Sequence, residues 1–201
     1  TVGILASGGC WVSPGVVSEH AGCAQRIKDF EHLLQNPKLR HVVTAQKWGS
    51  YLAGEDVQWV RDEKGLPARF ADNTQIELLK KLRVYFDGTG KTLHVILDVP
   101  WDESNEGSNF DPLLHISRIF PKELRDEDFV IPFPKDSTWL LGNNSVRFAL
   151  KDVATIIDPV IQHCPNGQCN LLHYKDDDHL RASYTREHAV WIDSIFDDVL
   201  K

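Results

Sequence analysis

Residues able to do chemistry crowd into one stretch near the C-terminus, Tyr174-Lys175-Asp176-Asp177-Asp178-His179-Leu180. A carboxylate three residues ahead of a histidine on a loop can curl back onto the imidazole. Such an aspartate fixes the ring tautomer and stabilises the imidazolium, leaving the second nitrogen free as a general base. Asp176 and His179 stand in that relation. The competing reading is a solvated acidic N-terminus on the last helix, favoured by the helix dipole. Spacing alone does not choose between them. The other histidines carry less. His94 falls mid-strand as a core residue, and His20, His32, His115 and His188 read as surface or packing residues.

The four cysteines form two local pairs at opposite ends of the chain. Proximity gives Cys10–Cys23 and Cys164–Cys169. The second pair brackets Pro165-Asn166-Gly167-Gln168, and Asn-Gly is a strong turn dipeptide. A hairpin there would bring the flanking residues to the Cα separation of about 5.5–6 Å that a disulfide favours. Two other readings stay open: zinc, with His163-Cys164 and Cys169…His173 as ligand types, and free buried thiols. Disulfides would point to an oxidising compartment outside the cytoplasm.

With 201 residues the chain has room for one ordinary domain, and 42% apolar residues are enough to build its core, which excludes a disordered chain. The net charge of −7, with no Lys/Arg-rich run, argues against nucleic acid or an anionic membrane surface as partner. No apolar stretch approaches the roughly 18–20 residues of a transmembrane helix, and no signal peptide is recognisable.

Short apolar runs at Thr1–Ser7, Val42–Gln46, Leu93–Val99 and Val153–Ile157 read as buried strands. Between them lie helices. From Gly22 to Gln35, Ile27, Phe30, Leu33 and Leu34 make one stripe, stopped by Asn36-Pro37. A second runs from an Asn73 cap through Ile76, Leu79, Leu82 and Phe86 to Gly88. Asn143–Lys151 reads as a short helix, and Ser183–Leu200 as a long amphipathic one with Tyr184, His188, Trp191, Ile195 and Val199 on its inner face. Ser50–Asp72 reads as a loop or hairpin excursion, and Trp101–Pro134, rich in Pro and acidic residues, has no clear assignment. Strands alternating with helices imply a parallel sheet covered on both faces. In such sheets ligands bind beyond the carboxyl ends of the strands. Ser7–Cys10, Lys47-Trp48-Gly49 and Asp98–Trp101 leave such ends.

The order Ser7-Gly8-Gly9-Cys10…Pro14…Cys23, Val42–Trp48…Tyr51, Ile157-Asp158-Pro159…Cys164…Cys169 and Tyr174–Leu180 resembles an SGNH-hydrolase-like domain. The likeness is to the type fused to bacterial membrane acyltransferases that O-acetylate surface polysaccharides, and it spans nearly the whole chain. It implies a single α/β domain over residues 1–201, a flavodoxin-like three-layer α/β/α sandwich with a mostly parallel sheet. It implies Ser-His-Asp chemistry with Asp176 as the acid and His179 as the base. By position, Gly8 or Gly9 would offer an oxyanion-hole N–H, and Trp48 either an indole N–H or, the favoured reading, a pocket wall.

Three features depart from the family pattern. The strand leading into Gly-Asp-Ser, with its nucleophilic serine, is absent, and Thr1 falls about where the second strand would begin. That first strand and its block are therefore expected upstream. Ser7 and Ser13 are the internal substitutes. Arg181 stands where a helix-capping serine is usual, and Pro14 stands alone and later than the usual double proline.

The resemblance implies acyl transfer, acetyl first, onto hydroxyls of an extracytoplasmic bacterial glycan such as a lipopolysaccharide or other surface polysaccharide. The acyl donor would come from an N-terminal membrane acyltransferase domain, with no cofactor or metal in this domain, and the location would be periplasmic, tethered to the inner membrane. The alternatives are a carbohydrate esterase or deacetylase with the same residues, or a non-catalytic glycan-binding module. Trp48, Tyr51, Trp59 and Trp101 are candidate sugar platforms, with core packing as the plainer reading for each.

Overall fold

The computed structural model describes residues 10–14, 16–18, 22–52, 60–61, 74–100, 130–132, 137–174, 180–193 and 195. In chain order the elements are β1 (Val17–Ser18), α1 (Cys23–Leu34), β2 (His41–Ala45), α2 (Trp48–Leu52), β3 (Val60–Arg61) and α3 (Thr74–Asp87). They continue with β4 (Thr92–Ile96), β5 (Val130–Pro132), α4 (Thr138–Leu150), β6 (Ala154–Ile157), α5 (Val160–His163), β7 (Gln168–Asn170) and α6 (Ala182–His188).

A parallel sheet in the order β2-β4-β6 sits at the centre, with His41 opposite Thr92 and Leu93 opposite Ala154. Alternation along β4 sends Leu93 and Val95 to one face, with Leu97 just beyond in the same phase, and all three are buried. Val42 from β2 joins them. The same core holds Ile27 and Leu34 from α1, Leu78, Leu79, Leu82 and Phe86 from α3, and Val146, Ala149 and Leu150 from α4. Burial of each such side chain contributes about 1.5–3 kcal/mol. The opposite face is less evenly covered. There β2 leaves Val43 47% exposed, while the neighbouring His94 is fully buried, its Nε2 3.1 Å from His41 Nδ1.

The fold is α/β, as the alternation of strands and helices predicts, but several boundaries differ. Helix α4 begins at Thr138, five residues ahead of the expected start, because Gly142 is a packing position and not a breaker (below). Trp48–Leu52 is helical where an irregular excursion was expected from Ser50 onward. The expected helix Ser183–Leu200 is interrupted. Helix α6 stops at His188, where Ala189 leaves the helical region with ψ 38; a 3-10 turn at Val190–Ile192 follows, and Asp193 and Ile195 are helical again. That break sets Trp191 edge-on to His163, ring centroids 6.2 Å apart. The expected strand Thr1–Ser7 and most of Trp101–Pro134 lie outside the described residues. The described part of the latter, β5, pairs antiparallel with β7.

Both cysteine pairs are disulfides, Cys10–Cys23 with Cα atoms 5.4 Å apart and Cys164–Cys169 with Cα atoms 4.1 Å apart. All four cysteines are thus bonded, and none is a thiolate able to ligate zinc. Between the second pair, Asn166 and Gly167 take the left-handed conformation, φ 56 and 75, that the Asn-Gly dipeptide tolerates best.

Candidate functional site

Asp176 and His179 lie outside the described residues, as do Gly8 and Gly9. The frame around the Asp176–His179 loop is described. Tyr174 and Leu180, on either side of the undescribed residues, form an antiparallel bridge. Arg181 closes this bridge twice. Its backbone N–H donates to the His173 carbonyl (2.8 Å) and its Nε–H to the Tyr174 carbonyl (2.7 Å). Beneath the stem, the Tyr174 side chain is fully buried, and burial pushes its hydroxyl well above the ordinary tyrosine value. The Tyr184 ring stacks on His173 at 3.8 Å between centroids, and its hydroxyl is 3.0 Å from His163 Nδ1. Upstream, the Cys164–Cys169 bond and the β5–β7 ladder, with Ile131 opposite Cys169, brace the approach to the stem.

A second cluster gathers at the carboxyl ends of β2 and β4. The Gln46 side-chain amide grips the loop after Cys10 with two hydrogen bonds, accepting from Val12 N–H and donating to the Val12 carbonyl, both at 3.1 Å. Asp98 follows the end of β4. Its Oδ2 accepts the Gly49 N–H at 2.7 Å, at the start of α2. The Asn143 side chain brackets the Asp98 backbone, accepting its N–H (2.9 Å) and donating to its carbonyl (3.0 Å). A carboxylate on the first N–H groups of a helix satisfies donors that the helix cannot.

This arrangement bears on three sequence readings. Trp48 is fully buried, and its indole N–H is donated to the Ile96 carbonyl at 2.9 Å. The indole donor is committed to a backbone acceptor. Tyr51 is 4% exposed and, like Trp48, packs on Trp11 in the core, so neither ring offers a sugar platform. Ser13 is fully buried, which removes it as a substitute nucleophile. Ser7, Trp59 and Trp101 lie outside the described residues. Sequence reasoning missed Gln46, Asp98 and Asn143 as the groups that fix the strand ends. The position of Asp98 after an apolar strand was the available signal.

The SGNH domain family, described as fused to AT3 domains, matches residues 1–189. The chain belongs to this family. The matched span includes the Tyr174–Leu180 block and both disulfides. No curated protein and no solved structure matches the chain. Membership supports a hydrolase-like, acyl-handling role and a membrane acyltransferase 3 domain as partner. Among the described residues, no helix is long and apolar enough to cross a membrane, and no group of three or more His, Cys, Asp or Glu is placed to hold a metal ion.

Two groups of this SGNH domain make opposite demands on pH. Burial pushes the Asp98 carboxyl up to about 7, against the Gly49 and Trp48 backbone N–H groups and the charge of Lys47, which pull it down. The folded state then holds an extra proton between about 4 and 7, and stability falls as pH rises through that window. Burial pushes His163 down to about 4, helped by the neighbouring His173 and His188. The unfolded state then holds the extra proton between about 4 and 6.5, and stability falls as pH falls. The ceilings are on the order of 4 and 3 kcal/mol respectively. The slopes offset each other below 6.5, and each substitution uncovers the other. Urea midpoints of Asp98→Asn rise with pH between 4.5 and 6.5. Those of His163→Gln fall between 4.5 and 7. Parallel profiles for the two variants would contradict this assignment.

Proposed function

We propose that the domain transfers an acyl group, acetyl first, to hydroxyls of an extracytoplasmic bacterial polysaccharide, with the acyl group delivered by the membrane acyltransferase domain. The observation that carries the reading is the family match over residues 1–189, a span that contains the Tyr174–Leu180 block, in which Asp176 and His179 are the proposed acid and base. The two disulfides support the extracytoplasmic setting.

The nucleophile is the serine of the Gly-Asp-Ser block that the family pattern calls for and this sequence does not contain. As its Oγ attacks the acyl carbonyl, His179 takes the hydroxyl proton and returns it to the departing oxygen. Asp176 holds the ring with its Nδ1 proton inward and stabilises the imidazolium. In the second half His179 takes the proton of the acceptor hydroxyl, the new ester forms, and the proton returns to serine. The backbone N–H of Gly8 or Gly9 is the proposed donor to the oxyanion.

Hydrolysis differs only in the acceptor, so the test is partition. The full-length protein, given an acetyl ester and an oligosaccharide acceptor, should yield acetylated sugar in excess of free acetate. Acetate alone would turn the reading into an esterase. Glycan binding with neither product would leave only a binding module.

A further inference from the structure

We propose that residues 182–192 form an acid-released latch, docked through Tyr184 and Trp191 on the buried, neutral imidazole of His163 and undocked when that imidazole is protonated. The His163 side chain closes α5 and is 1% exposed. Among the described residues, both aromatic rings against it come from one short piece of chain. Tyr184 of α6 lies 5.1 Å away between centroids, and Trp191 of the following 3-10 turn stands edge-on at 6.2 Å. Nδ1 is 3.0 Å from the Tyr184 hydroxyl, and Nε2 is buried with no hydrogen-bond partner.

A neutral ring suits this place and a charged one does not. The imidazolium carries a proton on each nitrogen, so Nδ1 can no longer accept the Tyr184 O–H and Nε2 has nothing to donate to. The surrounding charges do not help. His173, in the 3-10 turn Leu171–His173, stacks on the Tyr184 ring at 3.8 Å, and His188 of α6 leans on the same ring at 4.7 Å. Both are bases, and a proton on either opposes one on His163. Arg186, Glu187 and Asp193 are exposed, Glu187 lies 4.0 Å from His188, and Asp158, ahead of α5, is paired with Arg147. Among the described residues, no carboxylate forms an ion pair with His163.

Undocking uncovers His163 without unfolding the domain. Asp98, whose opposite slope offsets that of His163 in global unfolding, stays held between Gly49 of α2 and Asn143 of α4. Local opening therefore carries the slope of His163 alone.

Hydrogen exchange of the full-length protein, corrected for the pH dependence of chemical exchange, reads the two openings separately. Between pH 7 and pH 5 the opening constant of residues 182–192 is expected to rise about 20-fold, from a docked value of about 4 and an ordinary one when released. That of β4 should change less than about threefold, because the Asp98 and His163 slopes offset each other there. His163→Asn leaves an acceptor oxygen near the Nδ1 position and does not titrate, so its 182–192 segment should open alike at both pH values, within about twofold. Equal opening at pH 7 and pH 5 in the wild type would overturn the inference, as would a parallel loss of protection in β4. A 20-fold rise that persists in His163→Asn would overturn it too. Should His163→Asn fold poorly, Tyr184→Phe is expected to open the segment about five- to tenfold more at pH 7 with β4 unchanged. Wild-type opening in that variant would count equally against the latch.

Discussion

His179→Ala lowers turnover of an acetyl ester by about 10³- to 10⁴-fold in the full-length protein, and Asp176→Asn by a comparable factor. The size follows from the proposed roles. Without the imidazole no group takes the serine proton, and without the carboxylate the imidazole loses the tautomer that leaves Nε2 as acceptor. The neighbouring aspartates make the result specific. If the acidic run served only the dipole of the last helix, removing any one charge would cost a few tenths to about 1 kcal/mol of stability and little activity. Asp177→Asn and Asp178→Asn should behave in that way, with turnover within about twofold of wild type. Asp176→Asn should not. Steady-state kinetics on the four variants, with the melting temperature of each, checks the claim. Equal, small effects at all three aspartates would return the run to a solvated helix terminus.

Gly142→Ala destabilises the fold by about 3 kcal/mol, against a helix propensity that favours alanine by about 1 kcal/mol. Helices α2 and α4 cross at Gly49 and Gly142 with their backbones in contact. A Cβ on Gly142 would lie 2.6 Å from the Cα and N of Gly49, and a Cβ on Gly49 would strike the backbone of Trp139. Backbone cannot swing aside as a flexible side chain can, so α2 must move. Its movement pulls the Gly49 N–H from Asp98 and the Trp48 indole from Ile96, compounding the loss. For a chain of this size the melting temperature should drop by roughly 10 °C. Gly88→Ala is the control, since its Cβ would meet nothing nearer than 3.7 Å. Equal melting temperatures for Gly142→Ala and wild type would show that the crossing is looser than drawn.

The legible parts of the fold were those with local causes. The stripe of Ile27 and Leu34, stopped by Asn36-Pro37, and the run Leu93–Val95 carry their period in the sequence, and α1 and β4 follow them closely. Helix α2 has no such signature. Five residues, Trp48–Leu52, form it because Asp98, far along the chain, accepts a backbone N–H at its start and Gly142 lets α4 approach. Gly142 carries no local helix signal, since glycine inside a helix is unfavourable until a partner backbone needs the space. The end of α6 was hidden for a related reason. The apolar period continues past His188, but the chain breaks at Ala189 and brings Trp191 to His163. At the candidate site, Asp176 and His179 were visible as types and spacing, together with the family block around them. Trp48 was visible as a residue near a strand end, whereas the commitment of its N–H to Ile96 depends on a partner that no local pattern reveals.

The proposed relay between Asp176 and His179 is tested most directly by the ¹⁵N ring signals of His179 in the folded domain. The account predicts a single neutral tautomer with the proton on Nδ1 and Nε2 as acceptor, and a loss of that preference in Asp176→Asn. A ring that exchanges freely between tautomers, with signals unchanged when Asp176 becomes asparagine, would contradict it.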